Sequence, residues 1–432
     1  MDNKEIRMRA YFCTENNKSM TRHIIILAWL MPIVAGAQTL SLDYCEDKAR
    51  KNYPAVKQYG LIERSRDYTL SNASKAWLPQ IGLSAGAYAF TDIIDGDMQD
   101  KTGVDMDNHL LNASVSISQS IYDGGQTAAA RSVTRARSEV ESRQLDVTMY
   151  DIREKVQQIF FGVLLIDEQI RQNILLQEDL KISHRSVESM IDGGIANQSD
   201  LDAVKVELIK AQQQEGAFRS TRRAYLRMLG VFIGEDIPEE TTLTTPDGGL
   251  TMQGDVSARP ELSVFQAQEN LLDAQRKQLN TKLRPTLSAF AMGMTHSSVT
   301  DLMNNSVLAG GLSFSWNFGA LYTRKNDIRK IETERLVIDS NRETFLFNTR
   351  LDKEDSNGAI ETLRAQIMQD EEIVSLRESI RSKSELKVRA GTESVNEMLR
   401  DINAVSLARQ QKALHEIQLI KEQYNLKHII GL

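Results

Sequence analysis

Two stretches decide the fold: LNASVSISQSI at residues 111–121 and LAGGLSFSWNF at residues 308–318. In each, apolar residues alternate with Ser, Gly or other small residues. A period of two is typical of a β-strand with one apolar and one polar face. About ten such residues are also the length of a tilted strand that crosses a membrane. On this interpretation the polar face lines a water-filled barrel lumen with Ser114, Ser116, Ser118, Ser313 and Ser315.

Each of these strands has an earlier partner. Residues 81–90 and 287–294 are also alternating and rich in small residues, so we expect strand pairs at about 80–122 and 284–318. Four strands are too few to close a barrel around a pore, and lipid does not tolerate open sheet edges. If the strands lie in a membrane, several copies of the chain must share one barrel. A soluble antiparallel sheet with one wet face remains the alternative.

The chain is internally repeated. Pro54 and Pro79 are 25 residues apart, as are Pro260 and Pro285. Gly124 and Gly319 are 195 residues apart, and Gly194 and Gly391 are 197 apart. These pairs indicate a duplication, with a first repeat at 38–230 and a second at 256–432. Residues 231–255, rich in Thr, Gly, Pro and acids, are expected to form an equatorial linker.

Long helices follow each strand pair. Residues 126–190 and 322–390 contain no proline and one glycine each. A helix of that length would extend about 100 Å. Shorter helices at 199–229 and 394–430 are expected to return after a tight turn, and apolar positions recur at heptad-like spacing in a chain rich in Gln and Ala. We therefore predict coiled-coil helical hairpins, the alternative being an ordinary helical bundle.

The N-terminus has the pattern of an export signal. A basic Thr-Arg-His at residues 21–23 precedes an apolar run at 24–34 and a small-residue cleavage site at 35–37. We expect residues 1–37 to be a signal peptide, with residues 1–19 upstream of the true start if Met20 begins it. Its removal leaves Cys45 as the one cysteine, expected to pack inside a helix.

Composition argues against several classes of function. The net charge of −7 and the dispersed basic residues predict no nucleic-acid partner. There is no nucleophile elbow, no zinc-protease motif and no phosphate-binding loop, and the histidines are scattered. We therefore predict no enzyme activity, no catalytic residue, no metal site and no cofactor.

The motifs together resemble those of the TolC-like outer-membrane efflux proteins, the outer membrane factor family. The resemblance covers residues 40–430 and rests on the order of several short motifs: LSLDYC at 40–45, NYP at 52–54, WLPQI at 77–81, IYDGG at 121–125, RPEL at 259–262, LRP at 283–285 and WNFG at 316–319.

This resemblance implies a mainly α fold with a small β part. Each chain would give four strands to a shared 12-stranded outer-membrane barrel in a homotrimer, and its hairpins to a periplasmic α-barrel. It implies an exit duct for efflux, including multidrug resistance, or for type I secretion in a Gram-negative bacterium. Partners would be a periplasmic adaptor (membrane fusion) protein, an inner-membrane pump of the RND, ABC or MFS type, and outer-membrane lipid.

The family's periplasmic tip signature also has counterparts. An acid follows glycine by six residues at Gly194 and Asp200 and at Gly391 and Glu397, although the family's aromatic is replaced by Ile191 and Val388. The resemblance implies a tip and adaptor contact at Gly193, Gly194, Asp200, Gly391 and Thr392.

The same comparison implies a pore entrance at Glu393, Glu397, Arg400 and Asp401. Arg400 and Glu393 depart from the family pattern, so the entrance would not be purely acidic. Helix capping by Asp200 and Glu397 is an alternative to a gating role. A soluble periplasmic coiled-coil adaptor or structural protein is the alternative for the whole chain.

Overall fold

A computed structural model describes residues 39–89, 109–248, 256–298 and 305–432. The expected signal peptide, the loop at 91–108 and most of the loop between the second pair of strands lie outside these ranges. Seven α-helices run through the described residues: α1 Leu42–Asn52, α2 Lys57–Ser74, α3 Gln126–Asp192, α4 Gln198–Ile233, α5 Pro260–Thr281, α6 Ala320–Arg389 and α7 Val395–Ile429. The fold is mainly α with a small β part, as predicted.

The strands form two sheets. Their bounds are β1 Thr39–Leu40, β2 Gln80–Ala89, β3 His109–Tyr122, β4 Thr242–Leu243, β5 Thr286–Ser298 and β6 Asn305–Ser315. The larger sheet is antiparallel in the order β2-β3-β5-β6, and β1 pairs in parallel with β4. The central pairing, β3 with β5, therefore joins the strand pairs of the two sequence repeats.

The strand β6 ends three residues earlier than the alternating pattern suggests. Trp316 and Phe318 lie beyond it, with their rings 4.8 Å apart. The Asn317 side chain accepts a hydrogen bond from Gly319 N at 2.8 Å, which turns the chain toward α6. The Trp316 indole donates to Leu283 O at 3.0 Å. The prediction that these aromatics continue the strand is therefore wrong.

The helices below the sheet form one layer in the order α4–α3–α7–α6. The long helix α3 packs against α4 on one side and α7 on the other, and α6 packs against α7. Nearer the sheet, α5 takes the place of α7 between α3 and α6, and α2 packs on α3. At 1.5 Å per residue, the 67-residue α3 and 70-residue α6 extend about 100 Å. Among the residues described, no helix is long and apolar enough to cross a membrane.

A small extra layer covers one face of the helices near their middle. Here α1 packs Leu42, Cys45 and Ala49 into a core with Val156 and Phe160 of α3. The Cys45 side chain is fully buried, and burial raises the pKa of its thiol to about 12. The linker starts later than expected, because α4 continues to Ile233. Its strand β4 pairs with β1 in this layer.

The turn from β3 into α3 depends on Gly124, whose φ is +67°. A Cβ there would lie 2.9 Å from the Arg284 Cβ and 3.2 Å from the Pro285 carbonyl oxygen. Its sequence counterpart, Gly319, has a φ of −56°. The two repeats therefore enter their long helices through different turns.

We expect Gly124→Ala to destabilise the protein, because a left-handed residue with a side chain costs about 1–2 kcal/mol and the new Cβ would also overlap the Arg284 Cβ. Gly216→Ala is the matched control, since Gly216 lies inside α4 with open space around it. The midpoint of thermal unfolding in detergent, followed by circular dichroism, should fall for the first variant only. Equal midpoints for Gly124→Ala and the parent would contradict this.

Candidate functional site

The two hairpin tips end in the same turn. Gly194 and Gly391 have φ values of +72° and +70°. In each turn an amide closes back on the helix end, from Ile195 N to Met190 O and from Thr392 N to Lys387 O, both at 2.9 Å. Glycine is preferred here because it adopts the left-handed conformation that ends a helix. By contrast, Gly193 is right-handed, and this conformation does not require glycine.

Both return helices begin with a capping box. The Asn197 side chain accepts from Asp200 N at 3.2 Å, while Asp200 Oδ2 accepts from Asn197 N at 3.0 Å. Ser394 Oγ accepts from Glu397 N at 3.3 Å, and Glu397 Oε2 accepts from Ser394 N at 3.1 Å. Both acids therefore satisfy backbone N–H groups at a helix start. This supports the capping interpretation of these two positions.

Of the four predicted entrance residues, Glu397 and Arg400 contact each other within one chain. The Glu393 carboxylate accepts from Ser384 Oγ at 2.5 Å and pairs with Lys387 Nζ at 3.3 Å, so it turns back onto the end of α6. Arg400 lies 3.5 Å from Glu397 as an exposed pair. Asp401 is half-buried on α7. One chain thus carries both acidic and basic side chains at its tip, and the role of these four residues as a pore entrance stays a prediction.

The tips of the two hairpins are packed together by apolar residues. Val187, Met190 and Val204 of the first hairpin share a core with Met398 and Ile402 of the second. Val388 is buried in the same core. Val388 and Ile191 occupy the position that is aromatic in the family signature, one in each repeat. Val388 therefore faces the core, while Ile191 is half-buried.

A charged cluster also joins the hairpins about three turns above the tip. Asp179 on α3 accepts from Arg381 on α6 at 2.5 and 2.9 Å. Arg381 also pairs with Glu385 at 2.8 Å, and Arg409 on α7 lies 3.8 Å from Asp179. We call Asp179, Arg381, Glu385 and Arg409 the hairpin clamp. Because its pairing joins positions 202 residues apart, the sequence patterns do not reveal it.

The sheet places the predicted lumen residues on one face. Ser116 pairs with Met292, which pairs with Ala309, and Ser120 pairs with Ser288 and then Ser313. By this register Ser114, Ser116, Ser118, Ser313 and Ser315 share a face. Phe290, Met292 and Met294 lie on the same face. These larger residues are absent from the predicted set because β5 alternates less regularly than β3.

A family model described as outer membrane efflux protein matches residues 46–234. The solved structure of VceC, an outer membrane protein of Vibrio cholerae, has 12% identity and a TM-score of 0.65, with 90% of this chain and 96% of that one covered. No curated protein sequence matches the chain.

Two outer-membrane channels are similar as well. CmeC of Campylobacter jejuni has 14% identity and a TM-score of 0.63, covering 90% of this chain and 85% of that one. MtrE of Neisseria gonorrhoeae, solved in an open state, has 12% identity and a TM-score of 0.62, covering 90% and 88%. The predicted resemblance is confirmed. This chain has the fold of the outer-membrane efflux proteins along nine-tenths of its length.

Its similarity to efflux proteins covers both repeats, although the family model matches the first. Their solved structures are of channels and membrane proteins, not of enzymes. In the ranges that the structure describes, no three His, Cys, Asp or Glu side chains are grouped to hold a metal ion.

The Glu397 cap gives a pH-dependent prediction. Hydrogen bonds from Ser394 N and Ser394 Oγ lower the pKa of Glu397. A lowered folded pKa means that the carboxylate stabilises the tip above its unfolded pKa, and that this contribution is lost as the pH falls through the folded value. Amide exchange in the first turn of α7 should therefore be faster in Glu397→Gln than in the parent at pH 7.

The difference should disappear at acidic pH, where the parent carboxyl is also protonated. Glu188→Gln is the control, because Glu188 is an exposed acid of the tip region with no hydrogen bond among the described residues. If Glu397→Gln exchanges like the parent at pH 7, the negative charge of Glu397 does not stabilise α7.

Proposed function

We propose that the protein is a passive trimeric exit duct of the outer membrane, serving a tripartite efflux or type I secretion system. The observation that carries this proposal is a matched pair of open edges. The four-stranded sheet ends at β2 and β6, and the helical layer ends at α4 and α6. A neighbouring copy that meets both edges at once would continue both layers. Three copies of four strands give the twelve strands expected for the family.

The apolar face of the sheet supports a place in lipid. Leu83, Leu308, Leu312 and Phe314 are between 66% and 87% exposed on the face opposite the serines. A soluble adaptor or structural protein would bury such a face. In the outer membrane, lipid covers it and the serine face lines the lumen.

The outer edge of α6 supports the contact between copies. Phe347, Leu351 and Leu376 are more than half exposed. They lie on the side of α6 away from Thr349, Ser356 and Ile360, which are buried toward α7. This apolar edge would pack on α4 of the next copy, as heptad-like patterns do in coiled coils.

The duct would open by movement of the tips. The turns at Gly193, Gly194, Asp200, Gly391 and Thr392 would contact a periplasmic adaptor coupled to an inner-membrane pump of the RND, ABC or MFS type. In a trimer, the three copies of Glu393, Glu397, Arg400 and Asp401 would surround the entrance. The hairpin clamp holds the second hairpin to the first, so its release would let α6 and α7 swing outward.

Phe347→Glu should weaken the trimer, because it puts a charge into the apolar contact between copies. Asn348→Glu is the matched control, since Asn348 lies about a quarter turn around the same helix. Unheated samples on gels should show less trimer for Phe347→Glu and normal trimer for the control. Trimer retained in full by Phe347→Glu would exclude this edge from the assembly.

Arg381→Ala should favour the open duct. Removal of a partner from a partly buried charge pair is strongly destabilising, and here the pair joins two hairpins. We expect the single-channel conductance in planar bilayers to rise severalfold. The control is Arg377→Ala, one turn earlier on α6 and unpaired among the described residues.

Conductance of Arg381→Ala at the parent level would show that the clamp does not hold the duct closed. A parent without conductance under any condition would instead contradict the proposed function.

A further inference from the structure

The chain is strongly basic where the four strands of the larger sheet meet the helices. The strands themselves, as far as the structure describes them, contain no Asp, Glu, Lys or Arg. The fifteen residues on the helical side of each strand are 65–79, 123–137, 271–285 and 316–330. Together they contain thirteen Lys and Arg against four Asp, a net charge of +9, whereas the whole chain carries −7. We call these thirteen basic residues the basic collar.

The four acids of these segments do little to balance the collar. Asp123 caps the start of α3 by accepting from two backbone amides, at 2.8 and 2.6 Å. Asp273 pairs with an arginine outside the collar, and Asp327 accepts from a threonine hydroxyl on its own helix. Asp67 alone pairs with a collar residue, Arg66, at 2.9 Å.

Most of the collar is therefore uncompensated. Apart from Arg66, one other member has an acid nearby, Lys330 at 3.8 Å from Glu334. The remaining eleven make no ion pair with any residue that the structure describes, and all of them except Arg131 are exposed. A band of like charges attracts anions from its surroundings.

Exposed aromatic side chains lie in the same band. Trp77 precedes β2, Tyr122 ends β3, and Trp316 and Phe318 follow β6, while Tyr322 at the start of α6 is 87% exposed. Trp and Tyr are enriched at the boundary between membrane and water, where their rings lie at the level of the lipid headgroups. With the sheet in lipid, the collar is therefore at headgroup level.

Two collar residues can be placed on the outer face of the helices. Burial, followed by the charge of Glu261, raises the pKa of Asp151, so these two acids face the same side. At 100° per residue, Arg135 lies about 160° around α3 from Asp151, and Lys277 lies about 160° around α5 from Glu261. The α1 layer packs on Val156, about 140° from Asp151. A duct must keep its bore clear, so the side with α1 is the outer one.

Lys75 lies on the same side. It directly follows α2, and α2 packs on Leu145 and Met149 of α3. These two residues are about 120–160° around α3 from Asp151. Lys75 is therefore on the outer face with the other two.

We propose that the basic collar binds the phosphate groups of anionic phospholipids, such as phosphatidylglycerol, in the membrane leaflet that faces the periplasm. Phosphate oxygens accept charge-assisted hydrogen bonds from Lys and Arg, and basic side chains beside a membrane attract anionic lipid. The collar would hold the duct at a fixed depth and surround it with this lipid. The inference rests on the proposed function, because it needs the sheet to lie in a bilayer.

Two tryptophans in the same band can report on the lipid. Trp77 and Trp316 are the ones that stay after removal of the expected signal peptide, which contains Trp29. The probe is phosphatidylglycerol with brominated acyl chains, which quenches tryptophan on contact. It is compared with brominated phosphatidylcholine at the same mole fraction, in bilayers that contain the reconstituted full-length protein.

The parent should prefer phosphatidylglycerol about fivefold, the effect of one basic side chain beside an anionic headgroup. The preference should fall as salt is added, because salt screens exposed charges. Lys75→Gln/Arg135→Gln/Lys277→Gln should lower it at least twofold. None of these three side chains has an ion pair or hydrogen bond with a described residue, so the variant should insert and unfold like the parent.

The matched control removes the same charges from the hairpins, far from the sheet. Lys205→Gln/Arg377→Gln/Lys383→Gln changes exposed positions that are unpaired among the described residues, and it should keep the preference of the parent.

Equal quenching by the two lipids in the parent, or a parent-like preference in the collar variant, would overturn this inference alone. Absence of quenching by either lipid would show that the sheet does not lie in lipid, and would overturn the proposed function as well. Unchanged quenching in the collar variant, with a reversal potential shifted toward cations in planar bilayers, would place these charges in the bore and overturn lipid binding.

Discussion

The unpaired outer strands of the four-stranded sheet are the constraint on which the rest of the structure depends. The β2 and β6 edges each leave a row of backbone N–H and C=O groups without partners in one chain. Water can solvate such an edge, but lipid cannot. The exposed Leu and Phe side chains on the opposite face from the serines make lipid the consistent surrounding. If the sheet lies in lipid, as the proposed function requires, further copies of the chain must pair with both edges.

The helical layer also has two open edges, at α4 and α6. It is one helix thick, so a long helix such as α6 has neighbours of its own chain on one side and an apolar edge on the other. Duplication explains how one chain forms such a layer, because each repeat supplies one hairpin. The return helices α4 and α7 also end alike, each followed by a left-handed glycine, Gly234 and Gly431. These two glycines are 197 residues apart, the same separation as Gly194 and Gly391 at the tips. The turns into α3 and α6 differ at Gly124 and Gly319, which shows that the copies have diverged at the boundary with the sheet.

Much of this architecture can be predicted from the sequence because the signals are local. The serines of β3 share one face because they occupy every second position. The long unbroken helices are predicted by the absence of proline. The capping boxes are also local, since Ser394 and Glu397 are three residues apart. What the sequence does not reveal depends on helix order. Asp179 meets Arg381 across 202 residues because α7 places the second hairpin beside the first, and no periodicity encodes that choice. The end of β6 at Ser315 cannot be predicted from the pattern. Asn317 forms a turn, but the alternation of apolar and polar residues continues through Trp316 and Phe318.

The acids of the hairpin tips are held by contacts within one chain. At the tips, Asp200, Glu393 and Glu397 each hold a backbone amide, a hydroxyl or a lysine. A movement of the tips must therefore first break those contacts.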